Sequence, residues 1–413
     1  MSPPAWAGVG PPRIAHALER RWSNGRLRAR VGRGARQLLR RMGAPGVLDR
    51  PEMEDGEGRG RSFPYSPPEV VRHESPWTHP LDPEVPGELR ARTVRFEEAR
   101  VFELSDVELL GSPPMAFDAR GRAVLETIPP PFSPVEEHLD LHLPILPSLL
   151  RALPSPRAPD ELEVAALLTN RWTNNYWHWI VDVLPRLEGL ERYEAETGVR
   201  PRLLLPPRLR AWQVASLNAV APEAPTRPWG RRRIRVGLFV IPSFRRQYDG
   251  RSYHRPVSPG ACRWLRGRVL GRSGRGREGN RGRRIYISRR DAAFRRVVNE
   301  GEVVRALGDA GYEAHVLGSL SFAEQARLFS AAEAVVAPHG AGLANLVFAE
   351  APTVLELFGP EVLLPNAYLA RGLGCRYGYL RGTSPSTRLG GRESPMVVEV
   401  GRLMELLSAM GAA

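Results

Sequence analysis

Several groups of residues carry side chains whose types and spacing can do chemistry. In Val335-Val336-Ala337-Pro338-His339-Gly340-Ala341-Gly342-Leu343, an apolar run fit for a buried strand stops at a proline, and two glycines follow. A strand, a glycine turn and a helix start bring free backbone N–H groups and the positive end of a helix dipole to one point, which suits a phosphate. Glycines there let a ligand approach the backbone with no Cβ in the way. Arg289 and Arg290 close another apolar run, Ile285-Tyr286-Ile287-Ser288, and guanidinium groups clamp diphosphates through paired donors. Glu356, within Thr353-Val354-Leu355-Glu356-Leu357, can accept from ribose hydroxyls, as acids do in nucleotide-binding α/β domains, or simply cap its strand. His339 has two readings, a donor to phosphate or sugar, or a side chain that braces the turn.

A further group lies far upstream. A helix from Tyr176 to Leu184 places Asn175, His178 and Asp182 on one face at i, i+3 and i+7. A carboxylate four residues after an imidazole can hold its ring, and imidazole takes up protons near neutral pH. The alternative is a satisfied polar cluster that packs one helix on another.

The elements that must position these residues follow from periodicity. Thr93 to Phe96, Ala99 to Leu104, Val107 to Leu110, Met115 to Phe117 and Ala123 to Leu125 alternate as strands do, and predict a small meander. Glu163 to Leu168, Arg202 to Leu205 and Ile234 to Val240 are strands, with a helix over 208–219. That rhythm implies a parallel sheet with helices on its faces. Residues 271–284 are rich in Gly and Arg and mark a boundary. Beyond it, strands at 284–290, 313–317, 335–338 and 353–357 alternate with helices over 298–308, 321–332 and from about Gly342. Ser321 and Glu324 fit a capping box. Arg289, His339 and Glu356 then fall on one rim of a doubly wound sheet, at strand ends where ligands bind. The glycine spacing is not Gly-x-Gly-x-x-Gly, which counts against NAD or FAD. Residues 396–411 form a final amphipathic helix, and 51–92, rich in Pro, Gly and acid, an irregular linker.

At 413 residues the chain can hold two domains with sizeable cores. Its 59 basic residues are all arginine and exceed 45 acidic ones, for a net charge of +14. Residues 13–41 hold ten arginines against one acid, Glu19, and so carry +9 of that excess. The body is mildly basic, which suits an anionic small ligand as well as it suits nucleic acid. The arm suits a mobile segment or one that lies on an anionic membrane surface. No aromatic-interleaved basic patch accompanies it, which speaks against nucleic acid. Cys262 and Cys375 match no metal-ligand spacing and read as thiols in a reducing compartment. No run of about 20 apolar residues predicts a membrane span, and the N-terminus lacks the apolar core of a signal peptide, so a cytoplasmic protein is expected.

Taken in order, Asn175-x-x-His178-x-x-x-Asp182-x-x-Pro185, Ser288-Arg289 with Asn299-Glu300, Gln325, His339-Gly340-Ala341-Gly342-Leu343 with Phe348, and Val354-Leu355-Glu356-Leu357-Phe358 resemble the family 61 glycosyltransferases. The resemblance runs from about residue 95 to 385 and is strongest over 285–358. It implies a GT-B architecture of two Rossmann-like domains facing across a cleft. Residues 1–92 then form a disordered or helical basic arm and linker, 93–270 an acceptor-side domain, 280–385 a nucleotide-sugar domain and 395–413 a terminal helix. It further implies inverting transfer from a UDP-sugar, as co-substrate, to a hydroxyl of a glycan, of the bacterial capsular or surface polysaccharide type. His178 becomes the base with Asp182 orienting it, and the reverse assignment stays open. Asn299-Glu300 is expected to cap and support its helix. The absence of an Asp-x-Asp triplet near a strand end predicts metal independence. A competing reading is a non-catalytic nucleotide- or glycan-binding subunit of a polysaccharide assembly complex. The arm would hold either protein at the inner face of the membrane.

Overall fold

The structure, a computed structural model, describes residues 47–48, 50–54, 60–82, 85–110, 114–127, 160–170, 172–230, 233–248, 253–272, 282–384 and 393–413. The arginine-rich segment 13–41, the proline-rich residues 128–159 and most of the Gly/Arg-rich boundary lie outside the described residues.

The first half of the chain builds one large mixed sheet. In chain order its strands are β1 (Val47–Leu48), β2 (Ser62–Ser66), β6 (Ala99–Leu110), β7 (Met115–Phe117), β8 (Ala123–Val124), β9 (Asp160–Leu167), β10 (Arg202–Leu205), β11 (Thr226–Pro228) and β12 (Ile234–Pro242). Across the sheet the order is β1-β8-β7-β6-β12-β9-β10-β11, with β2 also on β6. β12 joins two kinds of pairing, antiparallel to β6 (Val236↔Val107) and parallel to β9 (Leu238↔Val164). The expected meander is therefore continuous with the expected parallel strands, and the sheet is mixed rather than parallel. Helices α2 (Tyr176–His178), α3 (Arg186–Thr197) and α4 (Ala211–Val220) follow β9 and β10, after the short α1 (Arg50–Glu54).

The second half builds a parallel sheet from β15 (Arg283–Ser288), β16 (Tyr312–Val316), β17 (Ala332–Pro338), β18 (Thr353–Phe358) and β19 (Arg376–Arg381). Their order is β16-β15-β17-β18-β19. Numbered within this half, that is 2-1-3-4-5, whose switch point lies between β15 and β17. The helices between are α6 (Glu300–Asp309), α7 (Phe322–Ser330) and α8 (Pro365–Gly372), and α9 (Val400–Ala409) closes the chain. The Ser321–Glu324 capping box is present, with Ser321 N donating to Glu324 Oε2 at 2.8 Å. Asn299 stands at the start of α6 but makes no side-chain cap. It donates instead to Val398 O at 2.8 Å, and Glu300 accepts from Tyr286 Oη.

Residues 51–92 are not an irregular linker throughout. They carry β2, β3 (Glu69–His73), β4 (Trp77–Thr78) and the start of β5 (Arg92–Phe96). β3 pairs with β5, and β4 reaches the edge of the second sheet at Gly378↔Trp77. Edge strands tolerate proline, such as Pro64 in β2, so a Pro-rich composition hid them. A small antiparallel pair, β13 (Arg246–Tyr248) with β14 (Tyr253–Val257), precedes α5 (Pro259–Arg272).

Alternation along the strands decides which side chains face the seam between the sheets. In β17, Ala334 and Val336 face a cluster with Leu307, Leu403 and Leu407 of α6 and α9. Val335 and Ala337 face the other way, into an apolar cluster that also holds Ile180, Leu184 and Leu205 from the first half, and Leu343 and Phe348. The two halves thus share one continuous core. Cys262 and Cys375 are free thiols buried in it, both pushed up to about 12 by burial.

Candidate functional site

The first site grows from the carboxyl ends of two adjacent parallel strands. Asn175 stands just before α2 and its Oδ1 accepts from Trp177 N at 2.9 Å, so it caps the helix that carries His178. After one α-turn the backbone widens into a π-turn over Trp179–Val183, a local form that recurs at functional sites. Trp179 pins this turn, its Nε1 donating to Ser216 Oγ at 2.8 Å. The result sets His178 Nδ1 2.6 Å from Asp182 Oδ2. The other carboxylate oxygen accepts from Arg246 Nε at 2.7 Å. Arg246 opens β13, a few residues after β12, lies 4.7 Å over the Trp177 ring and donates Nη1 to Arg255 O.

Asp182 is 2 % exposed. Burial alone would push its carboxyl up, yet the Arg246 guanidinium and the His178 hydrogen bond hold it below the usual carboxylate range. An ionised Asp182 accepts only, so Nδ1 of His178 donates to it, and in the neutral ring that tautomer leaves the lone pair on Nε2. Trp172, partly exposed, stacks on the His178 ring at 5.4 Å between centroids and 18° between planes.

The second site lies at the switch point of the parallel sheet. Arg289 follows β15, and its Nε and Nη2 reach Phe294 O at 3.4 and 3.2 Å. A Cβ on Gly340 would fall 2.1 Å from Arg289 Nη1. The glycine therefore makes room for this guanidinium. Arg290 is exposed. The expected helix from about Gly342 is a 3₁₀ segment, Ala341–Phe348, opened by Leu343 N donating to Gly340 O at 3.2 Å.

Glu356 is not on the rim. It has no exposed surface, and its strand parity, shared with Val354 and Phe358, turns it into the seam. Its Oε1 meets His339 Nδ1 at 2.6 Å and Asn366 Nδ2 at 2.7 Å, and its Oε2 accepts from Tyr377 Oη at 2.7 Å. Both oxygens are occupied by the protein, so Glu356 holds His339 instead of a sugar hydroxyl. His339 stacks on Phe358 at 5.3 Å. Burial, and then the Glu356 charge, push the Tyr377 phenol well above its ordinary range.

Sequence reasoning missed Arg246, Trp172, Asn366 and Tyr377. Arg246 gave no signal because all 59 basic residues of the chain are arginine. Asn366 and Tyr377 act through strand neighbours that only the sheet brings together.

Among the described residues no group of three or more His, Cys, Asp or Glu is placed to hold a metal ion, and no helix is long and apolar enough to cross a membrane. No curated protein matches the chain. Residues 176–355 match the model of the family described as Glycosyltransferase 61. That segment begins at the helix of His178 and Asp182, contains Arg246, Arg289 and the His339 turn, and ends one residue before Glu356. Over these 176–355 residues the chain is similar to the Glycosyltransferase 61 family, and the similarity supports a glycosyltransferase.

Proposed function

We propose that the protein moves a sugar from a UDP-sugar to a hydroxyl of a glycan acceptor, with inversion at the anomeric carbon. One observation carries the reading: His178 is held through Nδ1 by a carboxylate that Arg246 keeps ionised. Nε2 takes the proton of the acceptor hydroxyl as that oxygen attacks C1 on the face opposite the diphosphate. Asp182 steadies the ring and the imidazolium that forms. The exposed Trp172 offers an aromatic surface to the acceptor beside the base.

As the C1–O bond breaks, negative charge gathers on the leaving UDP. Arg289 and the N–H groups that open the Ala341–Phe348 segment receive it. Both flank a switch point, where ligands of open α/β sheets bind. The reading assigns this charge to arginine and backbone donors and not to a divalent ion. The two sheets become the halves of a GT-B arrangement, the first holding the acceptor and the second the nucleotide. The acceptor class is a bacterial capsular or surface polysaccharide, reached at the inner face of a membrane to which residues 13–41 bind.

A thermal-shift screen of UDP, GDP, CDP and their sugars tests the donor class. One nucleotide alone should raise the melting temperature by several degrees. His178→Ala should lower turnover by roughly 10²–10⁴-fold and leave UDP binding intact. Retained turnover removes the base assignment. UDP binding without transfer across a donor panel indicates a non-catalytic subunit instead.

A further inference from the structure

We infer that Arg295 stands with Arg289 as the second cation of an anion seat beside Gly340, and that the pair takes the phosphoryl groups of a nucleoside diphosphate. The inference rests on the diphosphate reading above, and adds to it a residue and a cost in stability.

Arg245 and Arg246, both buried, meet carboxylates. Arg245 bonds Glu188 Oε2 at 2.5 Å, and Arg246 bonds Asp182 Oδ1 at 2.7 Å. Among the described residues, neither Arg289 nor Arg295 has an ion pair. Asp291 acts on Arg289, and Glu356 and Glu393 on Arg295, only at longer range. Arg289 reaches the carbonyl of Phe294, the residue before Arg295, so this bond folds the loop back on itself, and the Arg295 charge acts on Arg289. Burial, followed by the Arg295 charge, pushes Arg289 down to about 10, and burial lowers Arg295 as well.

Arg295 is strained and unsatisfied. Its φ is 58°, in the left-handed region that non-glycine residues enter at a cost. Its Nε is buried with no hydrogen-bond partner. Burying like charges together without a counter-charge is unfavourable, and so is leaving a charged donor unpaired. An anion bound between the two guanidinium groups removes both penalties. The loop follows β15, next to the Gly340 turn that follows β17, so the pair flanks the switch point.

The test titrates the full chain with inorganic pyrophosphate, UDP and uridine by calorimetry. Variants are Arg295→Gly, Arg295→Gln and Arg289→Gln, with the exposed Arg327→Gln as control. Arg295→Gly removes the charge and relieves the backbone. It should weaken pyrophosphate and UDP at least tenfold, leave any uridine binding unchanged, and melt at the same or a higher temperature than the parent. A purely structural Arg295 would make that variant melt lower, and this result overturns the inference. Unchanged pyrophosphate affinity in both Arg295 variants also overturns it, while leaving the UDP-sugar reading standing if UDP still binds. Pyrophosphate that binds through Arg295, with no nucleoside diphosphate able to compete, overturns the nucleotide assignment of the seat.

Discussion

The phenol of Tyr176 donates to Oδ1 of Asn345 at 2.6 Å across the buried seam between the two sheets. Asn345 extends the link through Nδ2, which donates to Gly342 O at 3.0 Å and to Gln325 Oε1 at 2.9 Å. Gln325 in turn donates to Leu317 O at 2.9 Å. The helix that carries His178 is therefore tied by one phenol to the turn that follows β17. With the shared apolar core, this bond links the element that carries one site to the turn that carries the other.

Tyr176→Phe tests that coupling. It leaves the Asn345 oxygen without its donor in a buried place, which costs about 1–3 kcal/mol of stability. We expect a lower urea midpoint, and a kcat that falls while UDP affinity holds. A variant with unchanged midpoint and kcat would show that the bond does not position the sites.

Asp182 neutralises a buried cation as well as orienting a ring. Asp182→Asn leaves Arg246 without its counter-charge and should cost about 3–5 kcal/mol. Turnover should fall together with stability, because the fixed tautomer of His178 is lost. Adding Arg246→Met should recover a large part of the stability and none of the turnover. Denaturation curves and initial rates of the single and double variants separate the two roles.

Gly340→Ala distinguishes room for a ligand-binding side chain from a backbone need. The φ of Gly340 is −178°, which any residue adopts. The added methyl would fall 2.1 Å from Arg289 Nη1, at the far end of a flexible side chain that can swing away. Stability should change by less than about 1 kcal/mol, whereas UDP affinity should drop about tenfold as Arg289 leaves its place. Calorimetric titration and a melting curve on the same sample read both.

His73 gives the protein an acid-sensitive element. It is fully buried, neither ring nitrogen has a partner, and burial with the nearby Arg371 and Arg92 charges pushes it down to about 4. In the unfolded chain it binds its proton near pH 6.5, so between about 6.5 and 4 the unfolded state holds more protons. Stability should therefore fall as pH drops through that window, by about 2–3 kcal/mol from pH 7 to 4.5. His73→Phe should flatten this part of the profile. A variant with the same slope as the parent would assign the acid sensitivity to other groups.

Local chemistry made much of this legible in the sequence. The period of two in the strands, the strand-helix alternation after residue 283, the Ser321–Glu324 cap and the i,i+4 spacing of His178 and Asp182 depend on neighbours a few residues apart. Such relations survive whatever the rest of the chain does. The strands β2, β3 and β4 were hidden because an edge strand needs only one partner, and that partner lies far along the chain.

The sequence by itself determined which residue types could bind an anion or move a proton, and on which strand or helix each would stand. Only the tertiary structure decided their partners. Pairing β18 beside β17 and β19 turned Glu356 inward to His339, Asn366 and Tyr377, and took it away from any ligand. Placing β12 beside β9 brought Arg246 to Asp182. Folding the loop after β15 brought the Arg289 guanidinium to the carbonyl of Phe294, next to Arg295 in the chain. The reason is physical: a charge's behaviour depends on what lies within a few ångströms of it, and in this chain those neighbours come from segments tens of residues apart.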